Sequence, residues 1–389
     1  MRRIGIVTTS RADYGLYRPV IAAIDAHGEL TPELIVSGSH LLASHGMTVS
    51  EIEADGWPIH ARIAAMDGDT TASGNARTGA RTLSGIAETL ADDPPDWLLM
   101  LGDRYEMLAA AVAAVPFNIP IAHIHGGEVS FGAIDDACRH AITKLAHLHF
   151  PSTEGYARRL RQMGEEDWRI TVSGAPGLDA AHAADVLERD EIEQRFDVSF
   201  DGQPSIVTFH PVTREPDALH AQLTALEAAL VALDHPLIMT GSNVDTGGSE
   251  CSAMLQRVAE KRSDAYYVES FGSAGYMGAL RHVGAMIGNS SSGITEGAAF
   301  SLPVVNIGNR QDGRERAANV IDCAPETDAI LQAVHRARSD AFRQSFAGMP
   351  NPFGDGHAAP RIAARLADTP IDARLLAKRF VDHPVGVAS

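Results

Sequence analysis

The chain has 389 residues, which is more than one ordinary core needs and predicts two domains. Its hydrophobic fraction of 45% is typical of a globular protein, and its net charge of −18 disfavours a nucleic-acid-binding surface, which would be basic. No apolar run of about 18 residues and no signal peptide occur, and three widely spaced cysteines without a CxxC pair favour a reducing cytoplasm over a disulfide framework.

Along the first half, short apolar runs that end in Gly, Ser or Asp alternate with amphipathic segments. The predicted strands are 4–10, 33–39, 96–103, 119–127, 147–153 and 170–177, and the predicted helices lie near 14–26, 105–115, 135–146 and 154–163. Fully apolar strands that alternate with helices indicate a parallel sheet covered on both faces.

The segment 180–203 is rich in Ala, Asp, Glu and Arg, and we interpret it as a linker. The alternation then restarts, with predicted strands at 205–211, 235–242, 265–270, 283–290 and 302–308. The fold class is therefore α/β, with two doubly wound Rossmann-like domains, residues 1–179 and 180–365. If the two domains face a cleft, ligands are expected there at the carboxyl ends of the strands.

Two strand ends of the first domain carry polar candidates. Arg11, in the turn TTSRADYG, suits an anion at a helix N-terminus, although Asp13 could simply cap that helix. Neither a GxGxxG nor a GxxxxGK[ST] pattern is present at this turn. Asp103 follows the apolar run LMLG and is a candidate base or hydroxyl ligand, with an N-cap as the alternative.

The stretch HIHGGE, residues 123–128, holds the next candidates. His123 and His125 alternate along a strand and share a face, while Gly126 and Gly127 would let the backbone approach a ligand. A catalytic metal on this HxH pair would need further ligands, so we favour an acid/base role for His125 and Glu128 and leave His123 open.

The following helix and strand add two acids and two histidines. Asp135 opens the predicted helix and lies four residues before Arg139, which predicts an ion pair between them. His147 and His149 share a face of the next strand, and we expect them to be buried and hydrogen-bonded.

The second domain offers an anion cradle. His210, in TFHPVTRE, lies at a strand end and is a candidate acid or phosphate ligand. In MIGNSSSGITEGAAF, a strand ends at the start of a helix whose hydroxyls and free N–H groups suit a diphosphate. A Ser N-cap is the alternative, but three serines and Gly293 exceed what capping needs, so we favour the diphosphate. The candidate nucleotide-binding residues here are Asn243, Ser290, Ser291, Ser292, Gly293, Glu296, Arg310 and Arg314.

The blocks GDRYE, HIHGGEVSFGAIDDACRHAITKLAHLHF, TFHPVTRE and GNSSSGITEGAAFSLPVVNIGNRQDGRE resemble the hydrolysing UDP-N-acetylglucosamine 2-epimerases of sialic acid biosynthesis. The resemblance covers about residues 4–325 and implies a GT-B fold whose C-terminal helix, about 366–389, returns to the first domain. It also implies conversion of UDP-GlcNAc and water into ManNAc and UDP through 2-acetamidoglucal, without metal or NAD.

The same resemblance implies roles for individual residues. Asp103 and Asp135 match the family's catalytic acids, and Arg139 matches the paired arginine. His210 matches the histidine that assists the departing diphosphate. The phosphate and ribose contacts match Ser291, Ser292 and Glu296, and the N-terminal turn that closes on the nucleotide matches Arg11 and Asp13.

One position departs from the pattern and leaves alternatives open. His125 stands where animal and non-hydrolysing relatives carry Glu, so the base that acts at C2 is not identified; the His form occurs in the bacterial branch. Relatives in that branch act on UDP-N,N'-diacetylbacillosamine for legionaminic acid, which is the alternative substrate. A GT-B glycosyltransferase and a sugar-nucleotide sensor are the other function classes. The resemblance further implies a homodimer or homotetramer.

Overall fold

The structure is a computed structural model that describes residues 1–69, 71–130, 134–180, 186–212, 215–242 and 247–382. The chain divides into two compact units. The first comprises 1–128, 135–179 and 354–389, and the second comprises 129–134 and 180–353. In the part of the chain described, no helix is long and apolar enough to cross a membrane.

The first unit is a six-stranded parallel sheet with helices on both faces. Its strands are β1 (Arg2–Thr8), β2 (Leu30–Val36), β3 (Ile59–Arg62), β4 (Trp97–Leu101), β5 (Ile121–Ile124) and β6 (Leu148–Phe150). Its helices are α1 (Arg11–Asp25), α2 (Val49–Ala54), α3 (Ala72–Asp92), α4 (Tyr105–Ala114), α5 (Asp135–Leu145) and α6 (Glu154–Gln162), followed by α7 (Pro176–Ala180) at the boundary between the units.

The second unit repeats this architecture. Its strands are β7 (Ser205–Thr208), β8 (Leu237–Thr240), β9 (Ala265–Val268), β10 (Ala285–Gly288), β11 (Val304–Ile307) and β12 (Val320–Cys323). Its helices are α8 (Arg189–Phe196), α9 (Leu219–Ala232), α10 (Gly248–Lys261), α11 (Gly272–Leu280), α12 (Ser291–Ala299), α13 (Thr327–Arg338) and α14 (Asp340–Ser345); the chain ends with α15 (Ala358–Asp368) and α16 (Ala373–Leu376) in the first unit.

Both sheets have the Rossmann strand order. The orders are β3-β2-β1-β4-β5-β6 and β9-β8-β7-β10-β11-β12, and every pairing is parallel. Successive strands are added on one side of β1 and then, from β4 on, on its other side, and the same reversal occurs between β7 and β10. Sheets of this kind bind ligands at such switch points. The predicted fold class of two doubly wound α/β domains is confirmed.

Alternate residues of the strands supply the core on opposite faces of each sheet. In β4, Leu99 packs in the apolar cluster that includes Ile362 of α15, whereas its neighbour Leu98 packs in the cluster that includes Ile142 of α5. The second unit likewise has one apolar cluster on each face of its sheet. Because both faces are covered, the strands are continuous apolar runs rather than alternating ones.

The C-terminal segment belongs to the first unit. The chain returns there at Gly354, ahead of the predicted return near residue 366, so α15 falls in the first unit instead of within 180–365. The Asp179 carboxylate accepts the N–H groups of Ala358 (3.0 Å) and Ala359 (2.6 Å), which caps the start of α15.

Two local predictions were wrong. The segment 170–177 is not a strand of the sheet: Ile170 makes one isolated bridge to His149, and α7 then begins at Pro176. The presumed linker 180–203 contains α8, whose capping box joins Glu188 and Glu191 and whose Ile192 is fully buried.

Candidate active site

The end of β4 brings Asp103 to Arg139 of α5. Gly102 has φ of 81°, and this left-handed turn leads the chain out of the sheet into Asp103. Arg139 Nη2 donates to the Asp103 carboxylate, and its Nη1 donates to the carbonyl oxygen of His125 at 2.8 Å. The same Nη1 lies 3.7 Å from Glu128 Oε2. One guanidinium therefore joins the ends of β4 and β5.

Burial and the surrounding carboxylates have opposite effects on the pKa of Arg139. Burial disfavours the cation, but the surrounding carboxylates, with Asp103 and Glu128 foremost, together raise the pKa of Arg139 above its usual value. Our predicted partner was Asp135, four residues earlier. The guanidinium instead forms its ion pairs with Asp103 and Glu128, and Asp135 adds a weaker electrostatic attraction.

His125 and Glu128 form a dyad. His125 Nδ1 lies 2.6 Å from Glu128 Oε1, and the buried Ser152 donates to the same oxygen at 2.8 Å. The carboxylate can only accept when ionised, so Nδ1 carries the proton and Nε2 is the basic nitrogen. His125 also has φ of 63°, a left-handed conformation that is unfavourable for a residue with a Cβ. Arg139, bound to its carbonyl oxygen, helps to hold that conformation.

Exposure separates the members of this network into two kinds. The side chains of Asp103 and His125 are 22% and 13% exposed, whereas those of Arg139 and Glu128 are 3% and 7% exposed. Asp103 and His125 therefore reach solvent, and the buried Arg139 and Glu128 hold them in place.

The two glycines after His125 meet internal packing demands. A Cβ on Gly126 would lie 3.0 Å from His123 Nδ1, and one on Gly127 would lie 2.5 Å from the carbonyl oxygen of Tyr156. Gly127 also has φ of 78°. The prediction that this pair lets the backbone approach a ligand is not needed to explain either residue.

His123 and His149 are fully buried, and His147, which lies just before β6, is partly buried. His123 Nε2 contacts the Gly102 carbonyl oxygen at 2.8 Å, and burial lowers the pKa of His123 to about 3. His147 Nδ1 accepts the Ile121 N–H at 3.1 Å, and burial lowers its pKa to about 4. His149 contacts Glu165 at 2.9 Å. The expectation of a buried, hydrogen-bonded imidazole matches the geometry of His149, whereas His147 is hydrogen-bonded but only partly buried.

At the end of β1, Asp13 organises its own turn. Its carboxylate accepts from the hydroxyl of Thr8, from the N–H (3.0 Å) and hydroxyl (2.7 Å) of Thr9, and from the hydroxyl of Ser10 (3.2 Å). The N-cap of α1 is instead Ser10, whose hydroxyl accepts the N–H of Asp13 at 3.4 Å, so Asp13 holds the turn together and does not cap the helix. Arg11 opens α1 and is exposed.

In the second unit, Asn289 clamps His210. Asn289 Oδ1 accepts the backbone N–H of His210 at 2.7 Å, and its Nδ2 donates to the carbonyl oxygen of His210 at 2.8 Å. The carbonyl oxygen of Asn289 accepts from Gln311 Nε2 at 2.7 Å. Burial and the charge of Arg310 lower the pKa of His210 to about 3, and its Nδ1 lies 3.1 Å from Ser242 Oγ. The imidazole is therefore neutral and can offer an N–H to an anion.

The N-terminus of α12 lies at the switch point of this sheet. Ser290 is the N-cap, and its hydroxyl accepts the N–H of Ser292 at 3.3 Å, while Ser291 is the first helical residue. Gly293 faces the sheet, since a Cβ there would lie 2.9 Å from Val304 Cγ1. Its absent side chain thus serves packing of α12 on β11.

Three predicted nucleotide contacts lie near or beyond this turn. Arg310 Nη1 reaches the carbonyl oxygen of Asn289 at 3.5 Å, and Glu296 is buried in α12. Arg314 Nη2 donates to Ser130 Oγ at 3.1 Å within the second unit. Asn243 lies outside the described residues.

The HxH pair of His123 and His125 was also a candidate for metal binding. Within the residues that the structure describes, no group of three or more His, Cys, Asp or Glu side chains is arranged to hold a metal ion.

The sequence analysis missed Ser152, Asn289 and Gln311. Ser152 and Asn289 lie within the strand-end segments 147–153 and 283–290, so the rule that selected Asp103 and His210 could have found them. Gln311 lies in a loop whose course the sequence pattern does not predict.

Comparison with known proteins identifies the family. The family model described as UDP-N-acetylglucosamine 2-epimerase matches residues 22–367. The chain belongs to this family. An epimerase-family enzyme, the predicted class, is thereby confirmed.

Relatives of this epimerase family cover nearly the whole chain. The chain is 37% identical to the UDP-N,N'-diacetylbacillosamine 2-epimerase (hydrolyzing) of Legionella pneumophila, over 97% of this chain and 99% of that one. It is 31% identical to the UDP-N-acetylglucosamine 2-epimerase of Neisseria meningitidis, over 87% and 88%. A solved structure of UDP-GlcNAc 2-epimerase from Neisseria meningitidis bound to UDP-GlcNAc has a TM-score of 0.80 at 18% identity, covering 94% of this chain and 100% of that one. The GT-B fold expectation is confirmed.

Proposed function

We propose that this protein is a hydrolysing 2-epimerase that converts UDP-N,N'-diacetylbacillosamine and water into UDP and the free sugar inverted at C2. The observation that carries the acid/base part is the frame of Arg139 and Glu128, which holds the partly exposed Asp103 and His125. The choice of sugar rests on the Legionella relative, which has the higher identity and the fuller coverage of the two relatives compared.

UDP-N-acetylglucosamine is the second candidate substrate, with ManNAc as product. It is the substrate that the sequence motifs first implied, and the Neisseria relative named for it supports it at 31% identity. The two sugars differ at C4 and C6. UDP-N,N'-diacetylbacillosamine has an acetamido group on C4 and a methyl group as C6, where UDP-N-acetylglucosamine has a hydroxyl group and a hydroxymethyl group.

The reaction that we propose has two steps. A base removes the C2 proton while the C1–O bond breaks, and UDP leaves with the bonding electron pair, which gives a 1,2-unsaturated sugar. Water then adds its hydroxyl to C1, and a proton reaches C2 from the opposite face. Such a sequence needs two proton-transfer groups, and Asp103 and His125 supply one each.

The surroundings of these two groups suit that division. Arg139 holds the Asp103 carboxylate in place, where it can act as a base. The Glu128 carboxylate accepts a hydrogen bond from the Nδ1–H of His125, which leaves Nε2 of His125 to take up and return a proton. Asp135, at the start of α5, is the third carboxyl group that we assign to the sugar-binding unit.

We assign the diphosphate to the second unit. The N-terminus of α12 presents Ser290, Ser291 and Ser292 at the positive end of a helix dipole. Beside it, the neutral His210 offers an N–H, and Arg310 supplies positive charge. These groups stabilise the negative charge that UDP carries when the C1–O bond breaks.

The proposal is tested by substrate competition. We expect the protein, with EDTA present, to release UDP from UDP-N,N'-diacetylbacillosamine with a higher kcat/KM than from UDP-N-acetylglucosamine, and the free sugar to be the 2-epimer. A reversed preference would select the second candidate. Release of a sugar with unchanged C2, or transfer only to an added acceptor, would contradict the epimerase proposal.

Replacement of Asp103 separates chemistry from binding. Asp103→Asn keeps the side-chain shape but loses the basic carboxylate, so we expect turnover to be largely abolished while UDP affinity is unchanged. Calorimetric titration with UDP provides the control. Normal turnover in this variant would remove Asp103 from the mechanism.

A further inference from the structure

Among the strand histidines that the structure describes, His123 contacts the turn into Asp103. It lies in β5, is fully buried, and its Nε2 is 2.8 Å from the carbonyl oxygen of Gly102, the residue before Asp103. A carbonyl oxygen only accepts hydrogen bonds, so Nε2 must carry the proton. Burial lowers the pKa of His123 to about 3, and the nearby Arg139 contributes to this, so the ring is neutral at physiological pH.

The contact with His123 is one of two hydrogen bonds between β5 and the backbone of Gly102. The N–H of Gly102 donates to the carbonyl oxygen of Ile124 at 3.1 Å, and its C=O accepts from His123. Both partners belong to β5. The left-handed turn at Gly102, with φ of 81°, is therefore fixed by the neighbouring strand on both sides of the residue.

The other ring nitrogen of His123 points elsewhere. Its Nδ1 packs against Gly126, where an added Cβ would lie 3.0 Å away, and it has no hydrogen-bond partner among the residues described. Only the Nε2 side of the ring thus bears on the turn that leads to Asp103.

We propose that His123 is a positioning residue for Asp103: it donates a hydrogen bond that fixes the Gly102–Asp103 peptide, so that the carboxylate meets Arg139 and faces the sugar. This inference rests on the proposed role of Asp103. His123 itself transfers no proton. Its contribution is the orientation of the carboxylate, and a misplacement of about 1 Å costs roughly 100-fold in rate.

Three substitutions distinguish the two ring nitrogens. The amide nitrogen of His123→Gln can reach the position of Nε2, whereas that of His123→Asn reaches only the position of Nδ1, and His123→Leu has neither. We expect His123→Gln to keep kcat within about 10-fold of the parent and the other two to lose about 100-fold, with KM changed little. Because His123 is neutral throughout, the pH profile of His123→Gln should match that of the parent between pH 5 and 9.

Two kinetic results with the His123 variants would overturn the proposal. Parental kcat in His123→Leu would show that the hydrogen bond does not matter, and loss of one limb of the pH profile in His123→Gln would make His123 a proton-transfer group. Should His123→Leu and His123→Asn not fold, Gly102→Ala tests the same peptide, because open space surrounds its Cβ position while φ of 81° strains the alanine. We expect Gly102→Ala to lower kcat with KM little changed, and parental kcat there would contradict the proposal.

A structural readout separates this proposal from the proposed function. Crystal structures of His123→Gln and His123→Leu should keep and lose, respectively, the contact between Asp103 and Arg139. If the parent turns over neither sugar nucleotide, the proposed function fails, yet this comparison still decides the positioning role. An unchanged contact in His123→Leu would refute it.

Discussion

Arg139→Met is the perturbation that bears on the whole acid/base frame. Methionine is unbranched and fills the space of the arginine stem, although it is shorter, and it removes the charge from a side chain that is 3% exposed. Removing one partner of a buried ion pair costs about 3–5 kcal/mol. Asp103 is 22% exposed and can regain water, and Glu128 keeps the hydrogen bonds of His125 and Ser152. We therefore expect the lower end, roughly 3 kcal/mol.

Urea unfolding of the first unit measures that cost, and UDP release measures the loss of turnover. We expect turnover to fall at least about 100-fold, since Arg139 also holds the carbonyl oxygen of His125. Arg62→Met is the matched control: its ion pair with Glu53 is about half exposed, so its loss should cost less than about 1 kcal/mol. Equal stability of Arg139→Met and Arg62→Met, together with parental turnover, would refute the reasoning.

Three further perturbations test the remaining features. Ser291→Ala combined with Ser292→Ala should weaken UDP binding by about 1–3 kcal/mol in calorimetric titration, and unchanged affinity would refute the diphosphate assignment. Asn289→Ala removes both hydrogen bonds to the backbone of His210 and should lower the free energy of unfolding of the second unit by roughly 2 kcal/mol; a loss below about 0.5 kcal/mol would contradict the clamp. Burial would raise the pKa of Glu165, but the hydrogen bond from His149 and the nearby lysine charges lower it from 4.5 to about 2. Because the folded-state pKa is the lower one, this stabilisation, about 3 kcal/mol, is complete above pH 5 and is lost as the pH falls towards 2. Glu165→Gln should flatten that part of the stability profile, and an identical pH dependence in both proteins would contradict the assignment.

Local sequence patterns predicted the strands of the two sheets better than the segments outside them. The strand WLLML of β4 is wholly buried. A short continuous run of large apolar residues is typical of a strand in a parallel sheet that is covered on both faces. The helix α8 was mistaken for a linker because five of the eight residues in RDEIEQRF are charged, while Ile192 is buried and Phe196 is partly buried against the same apolar cluster. The polar composition hid a helix that its capping box and these apolar contacts stabilise.

At the candidate site too, the sequence predicted where residues lie better than which partners they contact. Strand ends correctly marked where Asp103, His125 and His210 lie, because side chains that follow parallel strands gather at one edge of the sheet. Partners were harder to predict. The i,i+4 rule paired Arg139 with Asp135, but a buried guanidinium takes the carboxylates that desolvation leaves unpaired, and these come from neighbouring strands distant in sequence. Helix spacing gives proximity on an exposed surface and does not account for such competition.

The most direct test of the proposed reaction is proton NMR of the protein with UDP-N,N'-diacetylbacillosamine in D2O, with EDTA present and UDP-N-acetylglucosamine in a parallel sample. Elimination followed by hydration predicts UDP and a free sugar that is inverted at C2 and carries deuterium there. A free sugar that retains its original C2 hydrogen and configuration would contradict elimination, and turnover that requires an added divalent metal would contradict the acid/base assignment of His125.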